Sequence, residues 1–398
     1  MMIKCEKTVK GGSICLLGWL LTMVLIMFAS CSGEEETARR PLEKTASLQL
    51  TLSGKNPAHT RATGNALPDN EATIHRLTVG LFFGDGSVNT IVEPNITADN
   101  SGTVKTGKIL CSPGTCEIIV VANVPEGTFN GVQTKNEFIG KTVGLVQTVR
   151  DGQQASDLLP MSGISDKEVT LIANKSIAVS VNLSRLVARI SISSIRANFG
   201  LEYSDATFKL DRVFLCNALE ASRVSPGDVT QTMPSQATWL HGGTTQEQPD
   251  GSFLWTKGAG FLLNDVTPPN GVEITNDEYA VPYWFYAFAN NDATNRTKLV
   301  LSGYFDPDGG GPKPAVYVYY PIVVNRSQAG TSITPSDPSQ TTGIGDGTIA
   351  RNRDYRIKAV IKGDGETNPG AEVTASNIDL TVSVDDWTLQ IVQEVELN

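Results

Sequence analysis

Histidine is nearly absent, with three in 398 residues. His59, His75 and His241 lie far apart, and neither a His-Glu-x-x-His helix nor a Gly-x-Ser-x-Gly elbow accompanies them, so the common hydrolase and metalloprotease sites have no residues to be built from. No catalytic residue and no cofactor is expected, and the chain does not read as an enzyme. Cysteine is also sparse, six in all, with no Cys-x-x-Cys pair or Cys/His cluster to hold structural zinc. A calcium loop at Asp306-Pro307-Asp308-Gly309-Gly310-Gly311 fails at its twelfth position, Tyr317, where an EF-hand needs a bidentate glutamate. It reads as a hairpin turn, and no metal site is expected. Charged residues are only 19 % of the chain and the formal net charge is −10. That balance argues against nucleic acid as a partner. Long apolar runs are missing after residue 29.

What is present points to β structure. Glycine (37) and proline (20) supply many turns, and an apolar fraction of 40 % is enough for packed cores. The length suggests two domains rather than one.

The amino terminus carries Lys4, Lys7 and Lys10, an apolar run from Leu16 to Ala29 broken by Gly18 and Thr22, and then Phe28-Ala29-Ser30-Cys31. The run is shorter than the roughly 20 residues that span a bilayer, and polar sequence follows at once, which favours a signal peptide over a transmembrane helix. Residues 1–30 are therefore expected to be removed and Cys31 to carry lipid, followed by an acidic tether over 31–45 that contains Glu34, Glu35 and Glu36. Cys5 and Cys15 leave with the signal. Of the rest, Cys111 and Cys116 flank a Pro113-Gly114 turn, so a hairpin disulfide is geometrically possible, and two free thiols fit the spacing equally well.

Strand patterns run through the remainder. Ala46–Ser53 alternates, with Leu48, Leu50 and Leu52 on one face and Ser47, Gln49, Thr51 and Ser53 on the other, as a half-buried strand does. Leu77, Val79, Leu81 and Phe83 alternate before Gly84-Asp85-Gly86, and Val88–Val92 completes a hairpin. Other runs include 117–124, 168–173, a long alternation from Ile177 to Ile192, 279–288, 298–305, 315–324, 355–361 and 378–384. Only Asn136–Val149 has room for a short helix, and 326–350 reads as a surface loop. The fold class is all-β, with sandwich domains over 46–200 and 201–398. The aromatics Tyr279, Tyr283, Trp284, Phe285, Tyr286 and Phe288 fit a core strand or a glycan site, and strand alternation favours the core. Leu159-Pro160-Met161-Ser162-Gly163 has the form of a sortase signal but lies mid-chain, without the apolar segment and basic tail such a signal requires.

Several segments, in order, resemble the fimbrillin family, the type V pilins of Gram-negative anaerobes. They are Leu77-Thr78-Val79 leading to Gly84-Asp85-Gly86, Ile118–Val124 ending in Ala122-Asn123-Val124-Pro125, Leu159–Gly163, the arginine-bearing strand Leu186–Ile192, Ala350-Arg351-Asn352-Arg353-Asp354-Tyr355-Arg356-Ile357, and Val382-Ser383-Val384-Asp385-Asp386-Trp387. The acidic run after Cys31 is similar to the surface-export signal of lipoproteins in such bacteria. The resemblance implies transthyretin-like sandwiches, a surface-exposed lipoprotein precursor in the outer membrane, other fimbrial subunits as partners, and a trypsin-like maturation protease. It also implies loss of the first strand after cleavage at an arginine, with a strand from another subunit filling the groove. Within the polar segment 54–64 that arginine is Arg61, with Ala62 as the new terminus; Arg39 and Arg40 would leave the strand attached, and Arg76 abuts the next strand. The candidate donor is 389–397, with Leu389, Ile391, Val395 and Leu397 on one face, interrupted by Gln393. The same pattern also fits a last strand that completes its own domain. A stalk subunit is the leading expectation. A tip or anchor subunit and a monomeric glycan-binding lipoprotein are the alternatives.

Overall fold

Long-range strand pairing organises the chain into four principal sheets. The structure, a computed structural model, describes residues 45–53, 70–98, 103–226, 233–243, 258–266, 271–280, 283–327, 329–335, 344–371, 374 and 377–387. They lie within one compact unit, Lys44–Asn398.

The first sheet runs in the order Ser176–Ser180, Ala46–Ser53, Thr103–Thr106, Ile96–Ala98, with Ile109–Cys111 also paired to Ala46–Ser53. The second is ordered Ser184–Arg185, Met161–Ile164, Gly114–Ala122, Leu77–Phe83, Val88–Val92, with Val169–Leu171 also paired to Gly114–Ala122. The third is Tyr283–Phe288, Val187–Ala197, Arg353–Ile361, Ile378–Asp386, Thr331–Pro335, and the fourth is Leu263–Asp265, Thr207–Cys216, Lys298–Asp306, Val316–Val323. Inward side chains of all four belong to one contiguous hydrophobic cluster. The expected all-β sandwich fold is what these residues form.

Alternation decided which faces turn inward, and packing partners then modified it. Along Leu77–Phe83 both faces are buried, not only the face with Leu77, Val79 and Leu81. The cause is the short helix Lys135–Gly140, whose Phe138 meets Phe82 edge-on at 5.2 Å and stacks on Phe129 at 4.0 Å. Thr134 caps that helix by accepting from the Glu137 amide. The short helix expected within 136–149 stops at Gly140, and Thr142–Gly144 beyond it is drawn into pairing with Ala221–Arg223.

Three further differences have local causes. The alternation from Ile177 to Ile192 is one run in sequence, but Ser176–Ser180 stays in the first sheet while Val187–Ala197 pairs with Tyr283–Phe288 and Arg353–Ile361. By strand pairing the change from one set of sheets to the other falls near Leu186. The stretch 326–350 contains the edge strand Thr331–Pro335, parallel to Ile378–Asp386. Its Ser/Thr/Pro composition hides it, and an edge position tolerates the proline. The Cys111–Cys116 segment is no hairpin: its turn carries the chain from Ile109–Cys111 in the first sheet to Gly114–Ala122 in the second. Both cysteines are buried, unbonded thiols, and burial pushes both thiols up.

Candidate assembly site

Ala46–Ser53 is an inner strand held only by remote partners. On one side it runs parallel to Ser176–Ser180, with Leu48 opposite Ile177 and Leu50 opposite Val179. On the other it is antiparallel to Ile109–Cys111 and Thr103–Thr106, with Ala46 opposite Cys111 and Leu52 opposite Val104. Leu48, Leu50 and Leu52 are 0 %, 0 % and 1 % exposed, while Gln49 faces solvent. Thr106 contributes twice: its hydroxyl accepts from the Leu50 amide at 2.9 Å and its carbonyl accepts from the Gln49 side chain at 3.2 Å. Full burial of a leucine is worth roughly 1.5–3 kcal/mol, so the three together contribute about 5–9 kcal/mol of gross apolar burial. Taking this strand away would bare an apolar floor and leave unpaired backbone edges on both flanks, a template for another strand.

A second arrangement, which sequence reasoning missed, ties the segment before Leu77–Phe83 and the last described residue, Trp387, to the sheets. Glu71, Arg185, Arg189, Asp354, Tyr286 and Trp387 are all buried. Arg189 grips the Asp354 carboxylate with two bonds, 3.0 and 2.6 Å, and donates to Glu71 at 2.7 Å. Glu71 also accepts from the Tyr286 hydroxyl at 2.6 Å and from the Trp387 indole at 3.1 Å. Arg185 donates to the Trp387 carbonyl at 2.9 Å and the Glu71 carbonyl at 3.0 Å, with its guanidinium 4.2 Å from the Trp387 ring centroid. Buried charge is tolerable only when paired in this way. Burial drives the Glu71 carboxyl up against the pull of Arg189 and the Tyr286 hydroxyl, and drives Arg185 down to about 10. Burial also works against the charge on Asp354, but the bonds and charge of Arg189 and Arg356 prevail and hold that carboxyl below its ordinary range.

Segments far apart in sequence meet around this cluster. Arg351 donates to Ser162 in the Leu159–Gly163 segment, and Asn352 accepts from the Trp387 amide. Asn123, left-handed at φ 57°, donates to the carbonyls of Leu159 and Thr73. Gly163 lies so close to the Asn182 carbonyl that a Cβ there would sit 1.9 Å from its oxygen, so only glycine fits. The Leu159–Gly163 segment thus has a packing reason that owes nothing to a sortase. The one signal available in the sequence was arginine or aspartate placed inside otherwise apolar strands.

Of the residues expected from sequence, Leu48, Leu50 and Leu52 share the core face of the first strand. Cys31, Arg61, Ala62, Leu389, Ile391, Val395 and Leu397 lie outside the described residues. Glu71 and Trp387 are the cluster members nearest in sequence to 54–64 and 389–397. Among the described residues no group of three or more His, Cys, Asp or Glu is placed to hold a metal ion.

Residues 46–193 match the family described as major fimbrial subunit protein (FimA). That segment belongs to the fimbrillin family. The match opens on the first residue of the strand Ala46–Ser53 and closes inside Val187–Ala197, so it takes in every strand that seats the first one and also Arg185 and Arg189. The fold likeness extends further. A fimbrilin from Porphyromonas gingivalis W83 superposes with a TM-score of 0.63 at 21% identity, covering 86% of this chain and 98% of that one. A candidate cell adhesion protein from Parabacteroides distasonis ATCC 8503 gives 0.60 at 22% identity, covering 86% and 100%. No curated protein sequence matches the chain. The fimbrillin resemblance read from separate motifs is thus borne out, and the fold continues through the strands beyond the family match.

Proposed function

We propose that this chain is a structural subunit of a cell-surface fimbrium, serving assembly and adhesion rather than catalysis. In this reading it is exported as a precursor lipidated at Cys31 and displayed on the outer membrane. A trypsin-like protease cuts after Arg61, the first strand leaves, and residues 389–397 of another subunit take its place. The observation that carries the reading is the seat of Ala46–Ser53: an inner strand with leucines on one face, all of whose partners lie at least fifty residues away. Cutting between residues 53 and 70 would free it from the rest of the chain without breaking any other described strand. A subunit with both an acceptor groove and a donor strand joins its neighbours head to tail, and such a contact extends without closing.

Arg61→Ala tests the proteolytic step. With limited trypsin, the wild-type precursor is expected to yield a chain beginning at Ala62 and a ladder on an unboiled gel, and the variant to keep its first strand and stay monomeric. A variant that still forms ladders would remove Arg61 from the account. Cleavage without ladders would mark a tip subunit, and wild-type resistance at Arg61 an anchor.

A further inference from the structure

Beside the third sheet's edge strand Tyr283–Phe288, a cleft of about 260 Å³ is lined by Gln153, Gln154, Phe261, Asn264, Tyr283 and Trp284. Among the described residues its lining combines aromatic side chains with neutral amides and carries no charged group. Phe285, Tyr286 and Phe288 of the same strand are buried in the core, whereas Tyr283 and Trp284 remain partly exposed.

The walls are fixed from behind. Gln154 spends its amide on the protein, donating to the Tyr286 carbonyl at 2.9 Å and accepting from the Tyr286 amide at 2.8 Å. The Trp284 ring lies 5.1 Å from the Tyr286 ring, and Tyr286 is itself anchored by its hydroxyl on Glu71. Tyr283 and Tyr279 share a hydroxyl contact of 3.1 Å. By contrast, the Trp284 indole and the side-chain amides of Asn264 and Gln153 have no hydrogen-bond partner among the described residues.

Fixed aromatic faces offer contact to the C–H face of a sugar ring, and unspent neutral donors and acceptors offer bonds to its hydroxyls. An apolar ligand would leave those groups unanswered, and an anionic sugar would find no cation among the described residues of the lining. The volume lies below the ~300–1,000 Å³ of drug-sized sites, which suits one ring rather than an extended chain. We propose that this cleft binds a single neutral pyranose residue at the end of a glycan. None of the described lining residues belongs to the first strand or to the strands that seat it.

The test is saturation-transfer NMR and tryptophan-fluorescence titration of the full precursor with neutral methyl pyranosides (glucoside, galactoside, mannoside and N-acetylglucosaminide), methyl glucuronide, and an aromatic tripeptide. The expected result is saturable binding of at least one neutral pyranoside, weakened at least tenfold in Trp284→Ala and in Asn264→Ala, with no response to the glucuronide. Because Trp284 also packs on Tyr286, Asn264→Ala with an unchanged circular dichroism melt is the deciding variant. Absence of binding by every neutral pyranoside, equal binding by Asn264→Ala, or saturation by the tripeptide alone would overturn the proposal.

Discussion

Arg189→Ala is expected to destabilise the precursor by about 3–5 kcal/mol in a urea or guanidinium titration at neutral pH, because it takes away the guanidinium that two buried carboxylates share, although Asp354 keeps its bonds to Arg356. Arg189 bonds both Glu71 and Asp354. The loss should depend on pH. Asp354, held below its ordinary 3.8 in the folded protein, contributes stability that is present above that value and is lost as the pH falls below it. Glu71, pushed up by burial from its ordinary 4.5, has the opposite sign: its protonated form favours the fold, and that contribution fades as the pH rises. Removing the arginine therefore costs most at neutral pH, where both carboxylates are ionised or pressed to be, and the gap between wild type and variant narrows in acid. A loss under about 1 kcal/mol at neutral pH would mean that the cluster is not the electrostatic junction its distances describe.

Leu50→Ala should cost the precursor about 2–5 kcal/mol, the usual range for emptying a fully buried leucine site. Its distinguishing feature is where that cost disappears. If the first strand is lost at maturation, a chain beginning at Ala62 lacks Leu50 altogether, and a sample matured from Leu50→Ala precursor must melt and polymerise as wild type does. Urea titrations of both precursors and gels of both matured samples separate the cases. A polymer that still carries the Leu50→Ala defect would show that the strand had stayed.

The first strand was legible because its signal is local. Leu48, Leu50 and Leu52 at period two name a buried face without reference to any other residue. Its neighbours were not legible: parallel pairing with Ser176–Ser180 and antiparallel pairing with Thr103–Thr106 depend on contacts across 50 to 130 positions, and nothing in the composition of those strands specifies them. The split of the 177–192 alternation between two sheets is invisible for the same reason, since both halves show the same apolar period. Thr331–Pro335 was hidden by composition, because an edge strand with one large apolar residue, Ile333, looks like a loop.

The charge cluster was hardest to see, since Arg189, Asp354 and Glu71 would each be read as surface residues until their burial is known. What the sequence did show was that arginine and aspartate interrupt apolar strands in the segments resembling fimbrillins. Their joint role emerges only when Trp387 and Glu71, 316 positions apart, are found bonded to each other.

The central claim is that one strand is given up and another received. It is tested most directly by treating two precursors with limited trypsin, the full chain and a chain ending at Thr388. Each new amino terminus is read by intact mass and sequencing, and polymers are followed on unboiled gels. The account predicts a terminus at Ala62 in both samples, with ladders from the full chain alone. Ladders formed without residues 389–398, or polymers that retain Ala46–Ser53, would contradict it.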